Sequence, residues 1–271
     1  MAMHHHVIEN GSVSEVTGLI SQIILAIPFI CALIIYITAL IVSEKRGREW
    51  RVYRTIFMVS GSLISLSAVV GPLAIKAHSD FIYHMLNHLL LGMLGPLLMV
   101  LAAPMTLILR ALSVKKAKRV TKILNSTYAQ FITNPIVASL LNVGGLGVLY
   151  MTNLYNMMHH SLLLHVFIHI HVFLAGYLFT ISMIYIDPTP HRRSYLYRTI
   201  VFIFALAGHG MLAKQIYANS PAGVPVDQAQ TGGMLMYYGG DVVDAVIITI
   251  LFYQWYQSTA PKQAIKTRAL S

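Results

Sequence analysis

The sequence predicts an all-α polytopic membrane protein, a seven-helix transmembrane bundle with its N-terminus outside and its C-terminus in the cytoplasm. Three observations predict it. Only 10% of the 271 residues are Asp, Glu, Lys or Arg, 56% are hydrophobic, and mean hydropathy is +0.67. An ordinary soluble domain carries about 25% charged residues. The apolar residues gather into seven segments long enough to cross about 30 Å of hydrocarbon as helix. The basic residues gather on one side of those segments. This composition excludes a cytosolic enzyme, a disordered tail and a nucleic-acid module. The lone cysteine, Cys31, excludes an intramolecular disulfide and a thiolate-cluster metal site within one chain.

The segments run over 19–42, 55–75, 82–109, 135–153, 161–186, 198–217 and 232–255. They far exceed barrel-strand length and lack the alternation of a barrel strand. The first starts after Gly18 and lacks the basic-then-apolar form of a signal peptide. Pro72 is expected to interrupt the second. The third is long, and Gly95–Pro96 and Ala103–Pro104 should kink it and open a cavity at its outer end. The fourth opens at Asn134–Pro135, with proline at the first helical position. The fifth is also long, and Asp187–Pro188 and Pro190 should stop it. Gly232 and Gly233 at the start of the seventh permit close helix approach. The domain reading is an outer segment 1–18, one transmembrane domain 19–255 and a basic cytoplasmic tail 256–271. The longest connection, 110–134, is basic and should be partly helical along the interface.

Charge sets the orientation. Lys45, Arg46, Arg48, Arg51 and Arg54 lie in the first connection, and Arg110, Lys115, Lys116, Lys118, Arg119 and Lys122 in the third. Arg192, Arg193 and Arg198 follow the fifth segment, and Lys262, Lys266 and Arg268 lie in the tail. Of the 19 Lys and Arg, only Lys76 and Lys214 fall toward the other side. This bias predicts the topology. The net charge of +10 is therefore a topology signal, with attraction to anionic membrane lipid as a by-product and no implied nucleic-acid partner.

Histidine is distributed as unevenly. Of 13 histidines, only His191 belongs to the expected cytoplasmic side. His84 and His88 are four residues apart and share a helix face, and His165 and His169 repeat the arrangement. His171, two residues on, turns about 200° away from His169. An imidazole in hydrocarbon needs a partner, because an unsatisfied polar group there costs several kcal/mol. The two pairs therefore form a candidate metal site between the third and fifth segments, with His84, His88, His165 and His169 as ligands. Imidazole suits Cu, Zn or Fe, and nearby Met85, Met157, Met158 and Met211 would favour Cu(I). His78, His160, His209, Asp227, Met85 and Met211 are candidates to orient or supplement these ligands. Asp241 and Asp244, three apart inside the seventh segment, join them. The bland alternative is that His78, His159 and His160 sit in the headgroup layer and His209 only hydrogen-bonds. His4, His5 and His6 form another metal-capable run, equally readable as a tag remnant.

The stretch His84–Met85–Leu86–Asn87–His88, continuing through Gly95–Pro96–Leu97–Leu98 to Ala102–Ala103–Pro104, resembles the central motif of the CtaG family. Asn134–Pro135, Leu154–Tyr155, His165 to His169 and Phe173–Leu174–Ala175–Gly176 form a second similar block. Asp227–Gln228, Gly232 and Met236–Tyr237 form a third. Family members carry tryptophan before the fifth span and after the Asp–Gln, where this chain has Tyr155 and Tyr237. The resemblance implies a non-enzymatic assembly factor for caa3-type cytochrome c oxidase, in a bacterial plasma membrane. It further implies copper, as Cu(I), handled by His84, His88, His165 and His169. The implied partners are the oxidase subunit carrying the binuclear centre and an extracytoplasmic copper donor. The residues themselves leave open a haem-binding electron-transfer subunit, a metal or proton transporter, and a metal-free scaffold. No CxxCH is present, so haem would be non-covalent.

Overall fold

A computed structural model describes residues 2–260, with side chains from Gly18 onward. The side chains of His4, His5 and His6, and tail residues Lys262, Lys266 and Arg268, lie outside the described residues. The described chain is all helix, turn and irregular segment, with no strand among the described residues. Its elements are α1 (Ala2–Lys45), α2 (Val52–Val69), α3 (Pro72–Ala77), α4 (Phe81–Leu89) and α5 (Gly95–Leu101). Then come α6 (Pro104–Ala111), α7 (Val114–Leu124), α8 (Thr127–Ile132), α9 (Pro135–Ser139) and α10 (Gly145–Met151). The chain ends with α11 (Leu154–His160), α12 (Leu162–Met183), α13 (Tyr195–Ala218) and α14 (Val226–Thr259). Wide π turns, Leu90–Leu94 and Leu140–Gly144, join α4 to α5 and α9 to α10.

Six helical stretches are long and apolar enough to cross a membrane: Gly18–Lys45, Val52–Val69, Phe81–Leu101, Leu162–Met183, Tyr195–Ala218 and Val226–Thr259. Six of the seven expected spans are single helical stretches. A seventh exists only if Pro135–Met151 and Leu154–His160, bent by 79°, count as one. Thr152 breaks that pair: its hydroxyl donates to the Val148 carbonyl at 2.6 Å and accepts the Leu154 N–H at 3.2 Å. A side chain bonded both ways competes with the helix ladder.

Other boundaries also move. The second span ends at Val69, and Pro72 does not kink it but starts α3, after Gly71 turns the chain at φ 87°. Only glycine enters that region freely. The third span ends at Leu101 rather than 109, because Ala103 takes a left-handed φ of 50° and Pro104 begins a new helix. Asp187 holds that start: its carboxylate accepts the Met105 and Thr106 N–H groups at 3.0 and 2.7 Å. The fifth span stops at Met183, before the prolines. There Arg198, almost wholly buried, donates to the Met183 carbonyl at 2.6 Å and stacks on Tyr185 and Tyr195. A cation at the carbonyl end of a helix is favoured. Asn134 caps α9 as expected, accepting the Ile136 N–H at 3.0 Å.

Phe81–Leu101 is the central span, with 72% of its core window buried against 22% for Gly18–Lys45 and for Leu162–Met183. The outer helices show Ile23, Ile27, Ile30, Ile34, Leu163, Phe167 and Phe204 on their open faces. That apolar surface suits lipid. The chain is a multi-pass membrane protein. Glycines set the closest approaches: a Cβ on Gly176 would land on the Gly92 carbonyl oxygen, so α12 crosses the first π turn backbone to backbone.

Candidate functional site

The start of α4 fixes the site. The Asp80 carboxylate accepts the Ile82 N–H at 2.8 Å, and the Gln228 side-chain oxygen accepts the Phe81 N–H at 2.9 Å. Two N–H groups that a helix leaves unsatisfied are thereby paired. Gln228 ties the first turn of α14 to that of α4. Gly232, one turn later, lets α14 lie against Phe81 and Met85, with an added Cβ only 2.8 Å from the Phe81 ring. Opposite them, Ser161 caps α12, which begins directly after α11, so His159 and His165 line the same cavity from either side of a one-residue turn.

Five imidazoles follow one another from this end of the bundle inward. His159 and His78 have ring centres 6.0 Å apart, and His78 and His165 stack at 4.9 Å. His165 and His169 lie 4.2 Å apart, and His169 and His84 meet edge to face at 6.5 Å. Partners fix several tautomers. The His169 Nδ1 lies 2.8 Å from the His165 carbonyl and the His159 Nδ1 2.9 Å from the Tyr155 carbonyl. A carbonyl only accepts, so each Nδ1 carries the proton and each Nε2 keeps its lone pair. The His84 Nε2 pairs with the Tyr150 hydroxyl at 3.0 Å. The buried His165 Nδ1 has no partner. Partial burial, and then the neighbouring His159, hold the His78 imidazole below its ordinary pKa, so it is neutral at pH 7.

A cavity of ≈ 10 Å³, room for about one water or ion, lies among His78, His84, His159, His165, His169 and Met158. It adjoins a broad vestibule of ≈ 730 Å³ lined by Leu19, Gln22, Ile75, His78, His159 and His165. Among the described residues no three His, Cys, Asp or Glu side chains converge as a formed ligand set. The imidazoles make a string rather than a closed coordination shell.

Of the four histidines expected as ligands, His84, His165 and His169 come together, while His88 turns away to His209, ring centres 6.3 Å apart. His78 joins the string, and His160 is exposed beside the vestibule. Met85 is fully buried against α14, and Met211, at 66% exposure, faces outward. Asp227 and Asp241 are exposed, and Asp244 is buried. Lys214 lies over the Tyr237 ring at 5.3 Å. His171 donates to the Leu141 carbonyl at 3.1 Å, a carbonyl at the second π turn, and stands apart from the string. Sequence reasoning missed His159 as a string member, Tyr150 as the partner of His84, and Gln228 as a tether. Only the Asp227–Gln228 motif carried a signal for any of them.

Comparison with known proteins bears on this site. A family model described as "Cytochrome c oxidase caa3 assembly factor (Caa3_CtaG)" matches residues 34–258. A Mycobacterium leprae protein named "Uncharacterized protein ML1998" is similar, 26% identical over 242 residues, which are 81% of this chain and 37% of that protein. "Uncharacterized protein Mb0105" of Mycobacterium bovis is 33% identical over 159 residues, covering 56% of this chain and 24% of that protein. The chain thus spans about a quarter to a third of the length of the curated relatives it matches. No solved structure matches it.

Proposed function

The chain belongs to the cytochrome c oxidase caa3 assembly factor family, and from that premise we propose that it carries Cu(I) to the copper site of a haem-copper oxidase. As an assembly factor it is not an enzyme. The observation that carries the copper reading is the string His159–His78–His165–His169–His84, leading inward from an open vestibule. Cu(I) accepts few ligands and takes imidazole and thioether. Imidazoles with ring centres 4.2 to 6.5 Å apart suit an ion that exchanges one ligand for the next. Met158 offers a thioether at the same cavity. Copper here is cargo, so an unclosed shell fits the task better than a saturated site. The positive-inside bias of the basic connections supports an orientation with the N-terminus and the vestibule outside, where an extracytoplasmic donor would deliver the ion. The partner is the oxidase subunit that holds the binuclear centre.

The test is metal analysis with a visible spectrum on protein purified anaerobically under reducing conditions without a histidine tag. Copper without a Soret band, reduced in a His84→Ala/His165→Ala/His169→Ala variant, is expected. A Soret band, or copper retained in full by the variant, would overturn the reading.

A further inference from the structure

His88 and His209 form a pair that the string does not use. Both are 6% exposed, one on α4 and one on α13. Both ring nitrogens of His88 and the Nε2 of His209 are buried without a hydrogen-bond partner. Three such orphans in the core of a membrane protein are costly, and each unsatisfied group there loses several kcal/mol. An ion bound between the rings would engage one nitrogen of each and relieve two of the three. The ring centres stand 6.3 Å apart with the planes inclined by 30°. Two metal–imidazole bonds of roughly 2.0 Å, with about 1.1 Å from each nitrogen to its ring centre, set two centroids about 6.2 Å apart. The pair thus has the spacing of two imidazoles bridged by one ion.

We propose that His88 and His209 form a second, deeper Cu(I) site, two-coordinate and separate from the string. His88 also lines a cavity of ≈ 20 Å³ with His84 and His169, on the side away from His209. Glycines press on both rings: a Cβ on Gly240 would come 2.6 Å from the His209 Cε1, and one on Gly92 would come 3.4 Å from the His88 Nδ1. The rings are therefore held, not free to swing to other partners. Two neutral ligands select Cu(I), since a protein Zn²⁺ site is almost always four-coordinate. His88 shares that cavity with His84 and His169, so it stands between the string and His209.

This inference rests on the copper reading above, and the experiment separates the two. The full chain is reloaded anaerobically with Cu(I) alone and its copper is counted, beside His88→Gln, His209→Gln and a His165→Ala/His169→Ala variant. Wild type is expected to hold more copper than either Gln variant by about one equivalent. The string variant is expected to keep that equivalent, with an X-ray absorption edge of near-linear coordination by two imidazole nitrogens. Folded Gln variants that bind as much as wild type would overturn the deeper site and leave the string intact. Copper in the string variant bound by three or more ligands, or by sulfur, would overturn it even if the Gln variants fail to fold. No copper in wild type would sink both.

Discussion

The hydrogen bond between Tyr150 and His84 is the sharpest single contact in the string. Tyr150→Phe removes the hydroxyl and leaves the buried imidazole nitrogen without it. We expect about 1–3 kcal/mol of lost stability in the apo protein, part of it recovered when Cu(I) binds. Thermal unfolding with and without the ion measures both. His171→Leu is the contrasting change. It strips the Leu141 carbonyl of its partner, so stability should fall by about 1–3 kcal/mol, while copper content should not change. Protons compete with metal for the same lone pairs. His78 is held below its ordinary value of 6.5 by partial burial and then by His159, so its proton competes less at a given pH than that of a free imidazole. Because the unfolded chain takes up that proton first, His78 also makes the folded protein less stable as pH drops below 6.5. Copper should be retained at pH 6.5 and released further down, as a Cu(I)-chelator titration across pH would show. The residue types of the site were legible in the i, i+4 spacing of His84/His88 and His165/His169. Their partition was not. Spacing puts His84 and His88 on one face, but it cannot say that neighbouring helices meet them on different sides of it. His159 was hidden because its approach to His78 depends on the sharp bend before α11.

At the scale of elements, the two π turns and the glycine contacts decide where helices can cross. Gly176 meets the Gly92 carbonyl, a backbone atom that cannot rotate away. Gly176→Ala should therefore separate α12 from α4 and α5 and pull the string apart. We expect a loss at the upper end of, or beyond, the usual 1–3 kcal/mol for overpacking, and copper binding lost together with stability. Gln228→Ala should be milder, about 1 kcal/mol, because α14 keeps its packing at Gly232. Spans and their caps read well from sequence: Asn134–Pro135 starts a helix where it should, and Gly232 permits the close approach that two glycines suggested. The broken elements did not. Ala103–Pro104 was legible as a kink in the third span, but apolar length carried that span on to 109, since a left-handed Ala103 has no signature in hydropathy. The same is true of Thr152, whose two hydrogen bonds break the fourth.

Across the whole molecule, the division between basic and histidine-bearing ends was plain in the sequence, and the structure keeps the groups apart. Arg46 and Arg48 donate to the Arg110 carbonyl, while the string lies with the vestibule beyond α3 and α11. That separation supports the proposed orientation. A cysteine introduced at Lys122 should react with an impermeant thiol reagent only from the cytoplasmic face, and one at Ala222 only from outside. The lone native Cys31 is first replaced by alanine to clear the background. Labelling of whole cells against inverted vesicles measures this, and the reverse pattern would put the vestibule on the wrong side for an extracytoplasmic donor. The most direct measurement of the central claim is transfer. Cu(I)-loaded protein is mixed with membranes holding copper-free oxidase, and oxidase copper and oxygen consumption are followed beside the His84→Ala/His165→Ala/His169→Ala variant. The account predicts that wild type supplies copper and activity together and that the variant, though folded and inserted, supplies neither. A folded variant that matures the oxidase as fast as wild type would contradict it and leave the histidines a structural role.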